Sequence, residues 1–441
     1  MARAMKDSGI AWIGEIPEEW GIAKVSLFFD IQLGKMLQPE QNADNDTFEN
    51  YLCAANVGKN KLKLDSLKQM WFSEDDKQKF SVRKGDLLVV EGGDVASCDI
   101  ITEEVNDLYI QNALHRVRSK SGYDIRILKY WLMVAKAIGY IDLICNKATI
   151  AHFTKDKFGA IPFVVVPTTE QIHIADFLDA ECARIDAVIE QTRASIEEYK
   201  KLKQAVITQA VTKGIRPNRP MKDSGVDWIG EIPAEWTTPK MGAVCSVITD
   251  YVASGSFASL AENVEYLDEP DYAMLIRTAD VSNKGYVPQP VYINQHAYEF
   301  LHNSNLYGGE LMFPNIGASV GDVYIVPKLY ERMSLAPNAI MVKTLHTDKY
   351  YYYYFLSNPG RLSIEDIAQS TAQAKYNKTD FKQLRVLCPS DQEQVEIVKY
   401  LDNKTSRIDI LIYNKELILQ ELEKYRKSVI YEFVTGKREM K

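Results

Sequence analysis

The chain is long, moderately acidic and rich enough in apolar residues to bury more than one core. It has 441 residues, of which 46% are hydrophobic, and a formal net charge of −8. At roughly 150 residues per domain, this length predicts about three domains. The acidic total excludes a generally basic nucleic-acid-binding protein, so any contact with DNA has to come from local basic patches.

Cysteine usage and hydropathy predict a cytoplasmic protein. The six cysteines are scattered and form no Cys-x-x-Cys pair, which argues against a disulfide framework or a structural zinc site. Residues 1–20 contain no apolar segment of the signal-peptide type. No apolar run approaches the ~18 residues that a membrane span needs.

One stretch occurs twice. Residues 5–20 are MKDSGIAWIGEIPEEW and residues 221–236 are MKDSGVDWIGEIPAEW, so 13 of 16 positions match at an offset of 216. Glu-Gln (170–171), aromatic-Leu-Asp (177–179) and Arg-Ile-Asp (184–186) motifs recur at an offset of 223. A period of about half the chain indicates an internal duplication rather than a solenoid. Matching ends and drifting middles predict a common frame that holds two different modules.

The first half predicts a mixed α/β module followed by a helix. Residues 1–20 are predicted to be an irregular strap. A turn at Gly85 leads into a buried strand that ends before Gly92 and Gly93, and residues 127–137 have helical spacing. Residues 161–167 predict a last strand. The predicted parts of the chain are 1–166 (strap and first module), 167–214 (long helix), 215–388 (linker, second strap and second module) and 389–441 (second long helix).

Each module is followed by a long helical pattern. Thr168 with Gln171, and Ser390 with Glu393, predict capping boxes at the two helix starts. Alternating steps of three and four predict a coiled-coil seam. We favour pairing of the two helices with each other over the alternative that each helix lies on its own module. The predicted seam contains Ile185, Val188, Thr192, Ser195, Tyr199, Leu202 and Val206, and then Ile408, Leu411, Lys415, Ile418, Leu422, Tyr425 and Val429.

The second module follows the order of the first with changed content. Residues 308–313 correspond to the Gly85 strand, and residues 317–319 to the loop at Gly92. The five consecutive tyrosines at 350–354 could stack on bases. The interpretation we adopt is a helix that buries a core stripe at Tyr351, Tyr354 and Phe355.

No catalytic constellation is evident. The sequence has no GxxxxGK[ST] or GxGxxG loop for phosphates and no HExxH motif. It also lacks the Asn-Pro-Pro-Tyr motif of N-methyltransferases, to which residues 358–360 are the nearest string. Residues 270–271 and 380–382 resemble a nuclease motif only superficially, because Asp-x-Lys triplets are common by chance. The sequence therefore predicts neither catalytic residues nor a metal site.

Basic clusters occur in the drifting middles of both modules. Cationic side chains on loops near glycine turns suit phosphate contacts, and Asn and Gln suit base edges. A solvated surface charge remains the alternative for any single lysine. The predicted DNA-binding residues are Lys59, Asn60, Lys61, Lys63, Lys77, Lys79, Arg83, Gly92, Gly93, Arg116, Arg118, Lys120, Lys147, Lys155, Arg277, Lys284, Gly317, Ser319, Lys328, Gln373, Lys375 and Lys378.

The order of strap, variable module, Glu-Gln, aromatic-Leu-Asp, Arg-Ile-Asp and long helix, present twice, resembles the specificity subunit of type I restriction–modification systems. The Asp-Ser-Gly-x-x-Trp-Ile-Gly-Glu-Ile-Pro-x-x-Trp lead-in is typical of that family, and the resemblance covers essentially the whole chain. It implies an α/β (α+β) fold with two target-recognition domains in tandem. Two long antiparallel helices would separate them, with internal pseudo-twofold symmetry.

The resemblance also implies a function without catalysis. Each domain would bind one half of a split site in double-stranded DNA. The helices would act as a ruler and dock modification (methyltransferase) subunits, and restriction or motor subunits would join for cleavage. S-adenosylmethionine, ATP and Mg²⁺ would be bound by those partners, so no cofactor is expected here. Because residues 149–153 (TIAHF) differ from residues 372–376 (AQAKY), the target should be asymmetric.

Two other classes of function stay open. An enzyme with a fused methyltransferase or nuclease activity would act on target DNA as the purified chain with S-adenosylmethionine. A coiled-coil adaptor with no role on DNA would lack the steep salt dependence that phosphate neutralisation gives to DNA binding.

Overall fold

The computed structural model of the chain describes residues 3–58, 62–120, 122–145, 152–282, 287–368 and 374–439. The chain divides into two compact units, residues 1–193 with 417–441 (unit 1) and residues 194–416 (unit 2). Both boundaries fall inside long helices, which run from Thr168 to Lys213 and from Asp391 to Val434. Each unit therefore contains a segment of both long helices.

Unit 1 begins with a β-hairpin. Its strands, Met5–Asp7 and Glu15–Pro17, pair antiparallel. The prediction of an irregular lead-in is therefore wrong, because the backbone of this stretch forms its own ladder. Gly21–Lys24 then pairs antiparallel with Pro162–Val165, so the first module (residues 25–161) begins and ends beside neighbouring strands.

In the part of the first module that the structure describes, the strands form two sheets. A four-stranded antiparallel sheet has the order 29–33, 114–119, 87–90 and 98–100. A three-stranded sheet has the order 68–72, 47–52 and 108–110, and only its last pair is parallel. The short helices are Val25–Phe28, Glu74–Phe80, Ile125–Ala137, Tyr140–Cys145 and Lys155–Gly159, with a 3-10 turn at Ala54–Asn56.

Unit 2 repeats this plan in its second module (residues 241–384). After a hairpin of Met221–Asp223 and Glu231–Pro233, a four-stranded antiparallel sheet has the order 245–250, 339–344, 311–314 and 324–325. The other sheet has the order 291–293, 273–276, 333–335 and 305–306, one strand more than in unit 1. The short helices are Phe257–Asn263, Thr278–Ser282, Gln295–Phe300, Asp348–Leu356, Asn358–Ile367 and Lys378–Gln383, with 3-10 turns at Met241–Ala243, Tyr251–Ser254 and His302–Ser304.

The most regular sequence patterns correspond to observed elements. Leu87–Val90 is a strand with all four residues buried, as the apolar run after Gly85 predicts. The helix at 348–356 buries Tyr351, Tyr354 and Phe355 almost completely. The core interpretation of the tyrosine run is confirmed, and these rings are not available to stack on bases.

Within each unit the long-helix segments run antiparallel. In unit 1, Asp186 pairs with Arg426 at 2.9 Å, and Arg193 with Glu423 at 3.3 Å. In unit 2, Lys415 lies over the ring of Tyr199 and Lys203 pairs with Asp409 at 2.7 Å. In both units, residues later in the first helix contact residues earlier in the second helix. The ends of the helices also pack into the module cores, for example at Leu178. Part of each helix therefore pairs with the other helix, and part of it lies on a module.

The predicted seam has the right period but is displaced by one residue at every second position. Five predicted seam residues, Val188, Leu202, Leu411, Ile418 and Tyr425, are 38–49% exposed. The buried side chains in the first helix follow steps of four and three instead, at Leu178, Cys182, Ile185, Ile189, Thr192 and Ile196. The sequence offers apolar residues at adjacent positions, such as Val188 and Ile189, so a three-four pattern that starts at Ile185 fits in either phase. Only the packing partner selects one of them.

The predicted capping boxes do not form as expected. Ser390 Oγ accepts a hydrogen bond from the Glu393 backbone N–H at 3.3 Å, but the Glu393 carboxylate accepts from Trp236 instead of returning to the backbone. The Gln171 amide donates to the Val166 carbonyl and accepts from the Asp124 N–H. The Glu-Gln motif therefore joins the helix start to the rest of its unit.

Candidate nucleic-acid interface

The repeated Glu-Gln and lead-in motifs make the same contact in both units. Trp20 Nε1 donates to Glu170 at 2.9 Å in unit 1, and Trp236 Nε1 donates to Glu393 at 3.0 Å in unit 2. An arginine pairs with each glutamate and lies over the ring of the same tryptophan. These arginines are Arg3 and Arg219.

The aromatic-Leu-Asp motif attaches each module to a long helix. The Tyr130 hydroxyl donates to Asp179 at 2.5 Å, and the Tyr353 hydroxyl donates to Asp402 at 2.7 Å. The aspartate of each Arg-Ile-Asp motif forms an ion pair with a basic residue of the other long helix. All these motifs thus build a frame that is the same in both units, and differences between the units concentrate in the modules.

The predicted lysine loops occupy equivalent positions in the two modules. Each loop follows the middle strand of the sheet that contains a parallel pair, after Leu52 in the first module and after Ile276 in the second. Lys63 is exposed on the first of these loops. Lys59, Asn60 and Lys61 of that loop, and Lys284 of the other, lie outside the described residues.

The predicted glycine loops are equivalent as well. The Glu91 carbonyl accepts from the Phe153 N–H at 2.8 Å, and the Asn315 carbonyl accepts from the Tyr376 N–H at 3.1 Å. Glycine allows the turn in each loop, since the residues there have φ of +87° (Gly93) and +95° (Gly317). Each loop therefore lies beside the chain that approaches the last short helix of its module. Lys147 and Gln373, just before these contacts, lie outside the described residues.

Two predicted cations of the first module come together. Lys120 and Lys155 line a groove of about 320 Å³ with Lys24, Asp30 and Asp156. Lys120 also donates to the Ser26 carbonyl at 2.9 Å. The groove therefore carries cationic side chains at its rim, although its two carboxylates offset part of their charge.

In the second module, two distant predicted residues meet in one groove. Arg277 follows the middle strand and Ser319 belongs to the glycine loop, and both line a groove of about 490 Å³. Asn338 adds a side-chain amide to this lining, and Tyr266 adds an aromatic ring that is 53% exposed. The remaining lining is mostly apolar, from Leu275, Val291, Pro314, Ile316, Ala336 and Pro337.

Arg116 has a structural role that the sequence interpretation did not foresee. It is 6% exposed, and its Nη1 donates to the carbonyls of Lys79 and Ser81 at 3.0 and 2.5 Å. Burial lowers the pKa of its guanidinium. A phosphate contact by Arg116 would require these bonds to break.

Other predicted cations are at the surface but partly engaged. Arg118 pairs with the buried Asp86 at 2.6 Å, and Lys378 pairs with Asp250 at 2.8 Å. Lys328 donates to the Glu331 carbonyl at 2.7 Å. Lys77 pairs with Glu74, whereas Lys79, Arg83 and Lys375 are exposed.

Two side chains whose oxygens organise the loops, an asparagine and an aspartate, were missed in the sequence analysis. Asn56 Oδ1 accepts from the Cys53 N–H, and Asp280 Oδ2 accepts from the Arg277 N–H, both at 2.9 Å. Each begins a loop after a buried strand, and they are 224 residues apart. An Asn or Asp four residues past a strand end, repeated near the offset of the duplication, is the signal that could have identified them.

The described residues offer neither a metal site nor a membrane-spanning helix. Within them, no group of three or more His, Cys, Asp or Glu side chains is placed to hold a metal ion. Over the same ranges, no helix combines the length and apolarity needed to cross a bilayer. All six cysteines are free thiols.

Duplicated α/β modules on one pair of long helices define a two-domain recognition protein. A family model for the type I restriction modification DNA specificity domain matches residues 17–198 and 233–423. The chain belongs to this family of type I specificity proteins, whose members are specificity subunits without catalytic activity.

One curated relative matches over nearly the full length of the chain, and another matches over about two thirds of it. The chain is 25% identical to the type I restriction enzyme MjaX specificity subunit of Methanocaldococcus jannaschii over 97% of its residues and 96% of the relative. It is 23% identical to the MjaVIII specificity subunit of the same organism, over 66% of this chain and 65% of the relative.

Solved structures support the fold. A chain from a study of complex assembly and conformational transition in the type I R-M system matches with a TM-score of 0.70 and 14% identity, over 96% of this chain and 99% of that one. The HsdS subunit of Thermoanaerobacter tengcongensis matches with a TM-score of 0.51 and 14% identity, over 96% and 98% of the two chains.

Proposed function

We propose that this specificity subunit binds an asymmetric, bipartite DNA site, with one half read by each module. The observation that carries the proposal is the groove of the second module, which unites Arg277 and Ser319 with Asn338 and an exposed tyrosine. These are donor, acceptor and stacking groups of the kind that contact base edges and backbone. The first module carries Cys53 and Asn56 where the second has Arg277 and Asp280, which favours two different half-sites.

The proposal assigns the long helices a role in assembly. Apolar side chains remain exposed on both of them, such as Val188 and Ile418 in unit 1 and Leu202 and Leu411 in unit 2. Exposed apolar residues on paired helices suit a partner surface. We assign them to the docking of modification subunits. The partners would bind S-adenosylmethionine, and restriction subunits would bind ATP and Mg²⁺ for cleavage.

The same proposal keeps the four-part division of the chain at residues 166, 214 and 388. It also places the complex in the cytoplasm, where it would meet DNA. The helices would set the distance between half-sites. The remaining surface cations of the modules would contact phosphates, with Lys63, Lys79, Arg83, Lys120, Lys155 and Lys375 as the exposed candidates.

Methylome sequencing of the source cell before and after deletion of this gene tests the proposal. We expect a methylated motif of two unequal halves around an unspecified spacer, and we expect it to vanish in the deletion strain. Persistence of every methylated motif would contradict the proposal. Salt-dependent DNA binding by the assembled complex separates it from the adaptor alternative, because only DNA binding gives a steep salt slope.

A further inference from the structure

The guanidinium of Arg277 is held in place on one side. Its Nε and Nη2 bond to Asp280 at 3.1 and 2.8 Å, and Nη2 also donates to the Gln289 carbonyl at 2.5 Å. Asp280 is 2% exposed, whereas the Arg277 side chain is 38% exposed and lines the groove. Within the described residues, Nη1 has no hydrogen-bond partner. Arg277 therefore offers one oriented donor nitrogen at the groove.

The first module has the same backbone turn without this guanidinium. Asn56 accepts from the Cys53 N–H at 2.9 Å, as Asp280 accepts from the Arg277 N–H at 2.9 Å. The turn itself therefore needs only an Asn or Asp oxygen. The negative charge of Asp280 and the side chain of Arg277 are present in the second module and not at the equivalent positions of the first. Together they hold the guanidinium in a fixed orientation.

We propose that Arg277, oriented by Asp280, reads the acceptor edge of a guanine in the half-site of the second module. The inference rests on the proposed function and adds a base and a residue to it. Guanine presents O6 and N7 in the major groove, and arginine is its commonest specific partner. Asp280 is a positioning residue, since it acts through Arg277.

A base contact fits the charges better than a phosphate contact does. The buried carboxylate of Asp280 lies 2.8 Å from the guanidinium and neutralises it locally. A neutralised pair attracts a phosphate weakly, so it would contribute little to counterion release. Its directional N–H groups are retained, and a fixed direction is what base discrimination requires.

Variants of these two residues separate the possibilities. Arg277→Ala removes the guanidinium and its free Nη1 donor, and Arg277→Lys replaces the guanidinium with an ammonium group that retains the charge. Asp280→Asn can keep the turn, because Asn56 forms the same turn in the first module. Its amide N–H₂ group cannot accept a hydrogen bond from the guanidinium, so Arg277 is no longer held in place. Arg332→Lys is the matched control, because Arg332 is 40% exposed in the same unit and lies over Tyr272 outside the groove.

The methylated motif and the salt dependence of binding by the assembled complex are the readouts. We expect both Arg277 variants to lose roughly 5- to 150-fold of the discrimination at one guanine position. Asp280→Asn should relax the same position less, and Arg332→Lys should leave it unchanged. The other half of the motif should not change in any variant, and the salt slope should not change in either Arg277 variant or in Arg332→Lys.

A phosphate contact gives a different result. Arg277→Ala would then weaken binding to all sequences and lower the salt slope by about one, and Arg277→Lys would restore both. That result overturns the inference while the bipartite motif, and with it the proposed function, stands. A wild-type complex without a bipartite motif overturns both.

A measurement on the wild-type protein does not depend on how the variants fold. Replacement of each guanine in this half-site by 7-deazaguanine removes N7 alone. Exchange of the second module identifies which half-site to use. We expect one replacement to reduce affinity markedly. A half-site without guanine, or one in which no replacement reduces affinity, contradicts the inference.

Discussion

The frame and the modules of this chain have diverged to different degrees. The tryptophan–glutamate bond is 2.9 Å long in unit 1 and 3.0 Å in unit 2, and the tyrosine–aspartate bond recurs in the same way. The modules keep their sheet order, but the second gains a strand at Asn305–Leu306 and a helix at Phe257–Asn263. Two domains that recognise different half-sites require such a combination, in which the contacts to the long helices are constant and the modules differ.

The frame itself differs in one physical respect, which is burial. The side chains of Arg219 and Glu393 are 8% and 3% exposed, whereas those of Arg3 and Glu170 are 15% and 21% exposed. Water therefore reaches the first cluster more easily than the second. Removal of one partner should therefore destabilise unit 2 more than unit 1.

The largest effect is expected from removal of the buried arginine. Arg219→Ala leaves Glu393 charged in a nearly dry site, so we expect unit 2 to lose about 3–5 kcal/mol of unfolding free energy. Arg3→Ala should cost unit 1 less, about 1–3 kcal/mol. Hydrogen exchange of the two hairpins under native conditions measures both effects separately.

A nearby exposed pair provides the control. Arg216 and Glu396 pair at 2.8 Å with side chains 52% and 37% exposed. Arg216→Ala should leave the exchange rates of unit 2 unchanged, because exposed pairs contribute little. Equal costs for Arg3→Ala and Arg219→Ala would show that burial does not distinguish the two clusters.

The spacing of the half-sites should depend on the long helices. Four residues inserted beside Tyr199 and beside Lys415, which contact each other, add about 6 Å to each helix. Coiled coils absorb such a stutter by local unwinding. At ~3.4 Å per base pair, the spacer should lengthen by one or two base pairs with both half-sites unchanged. An active insertion variant with the original spacer would show that the helices do not act as a ruler.

The smallest effect is expected from the lysine loop of the first module. Replacement of Lys59, Lys61 and Lys63 by alanine should weaken binding to all DNA sequences alike. The salt slope should fall by about one for each phosphate contact that is lost. A slope that does not change would identify these lysines as solvated surface charges.

The sequence predicted the elements whose pattern is local. Residues 87–90 and the tyrosine helix were found from an apolar run and a stripe, because burial alone dictates such patterns. The hairpin at residues 5–17 was missed, since its two strands have only three residues each. The sequence also did not show which residues of the long helices are buried in the seam. Val188 and Ile189 are both apolar, and only the tertiary packing determines that Ile189 is the buried one.

The site was less accessible to sequence reasoning than the fold. Lysine and arginine were selected by charge, but charge does not distinguish Arg116, which binds backbone carbonyls, from Lys375, which is exposed. Arg277 and Ser319 were both selected, yet their meeting in one groove depends on sheet order. Asn56 and Asp280 carry no signal of their own and become visible only when the two modules are aligned.

The central claim is that each module reads its own half-site while the frame is shared. Exchange of residues 25–161 for the corresponding module of another family member tests it directly. The flanking strands 21–24 and 162–165 remain in place and preserve the attachment. Methylome sequencing of cells that carry the exchanged chain should show one altered half-site, with the other half-site and the spacer unchanged. A change in both halves, or in neither, would contradict the account.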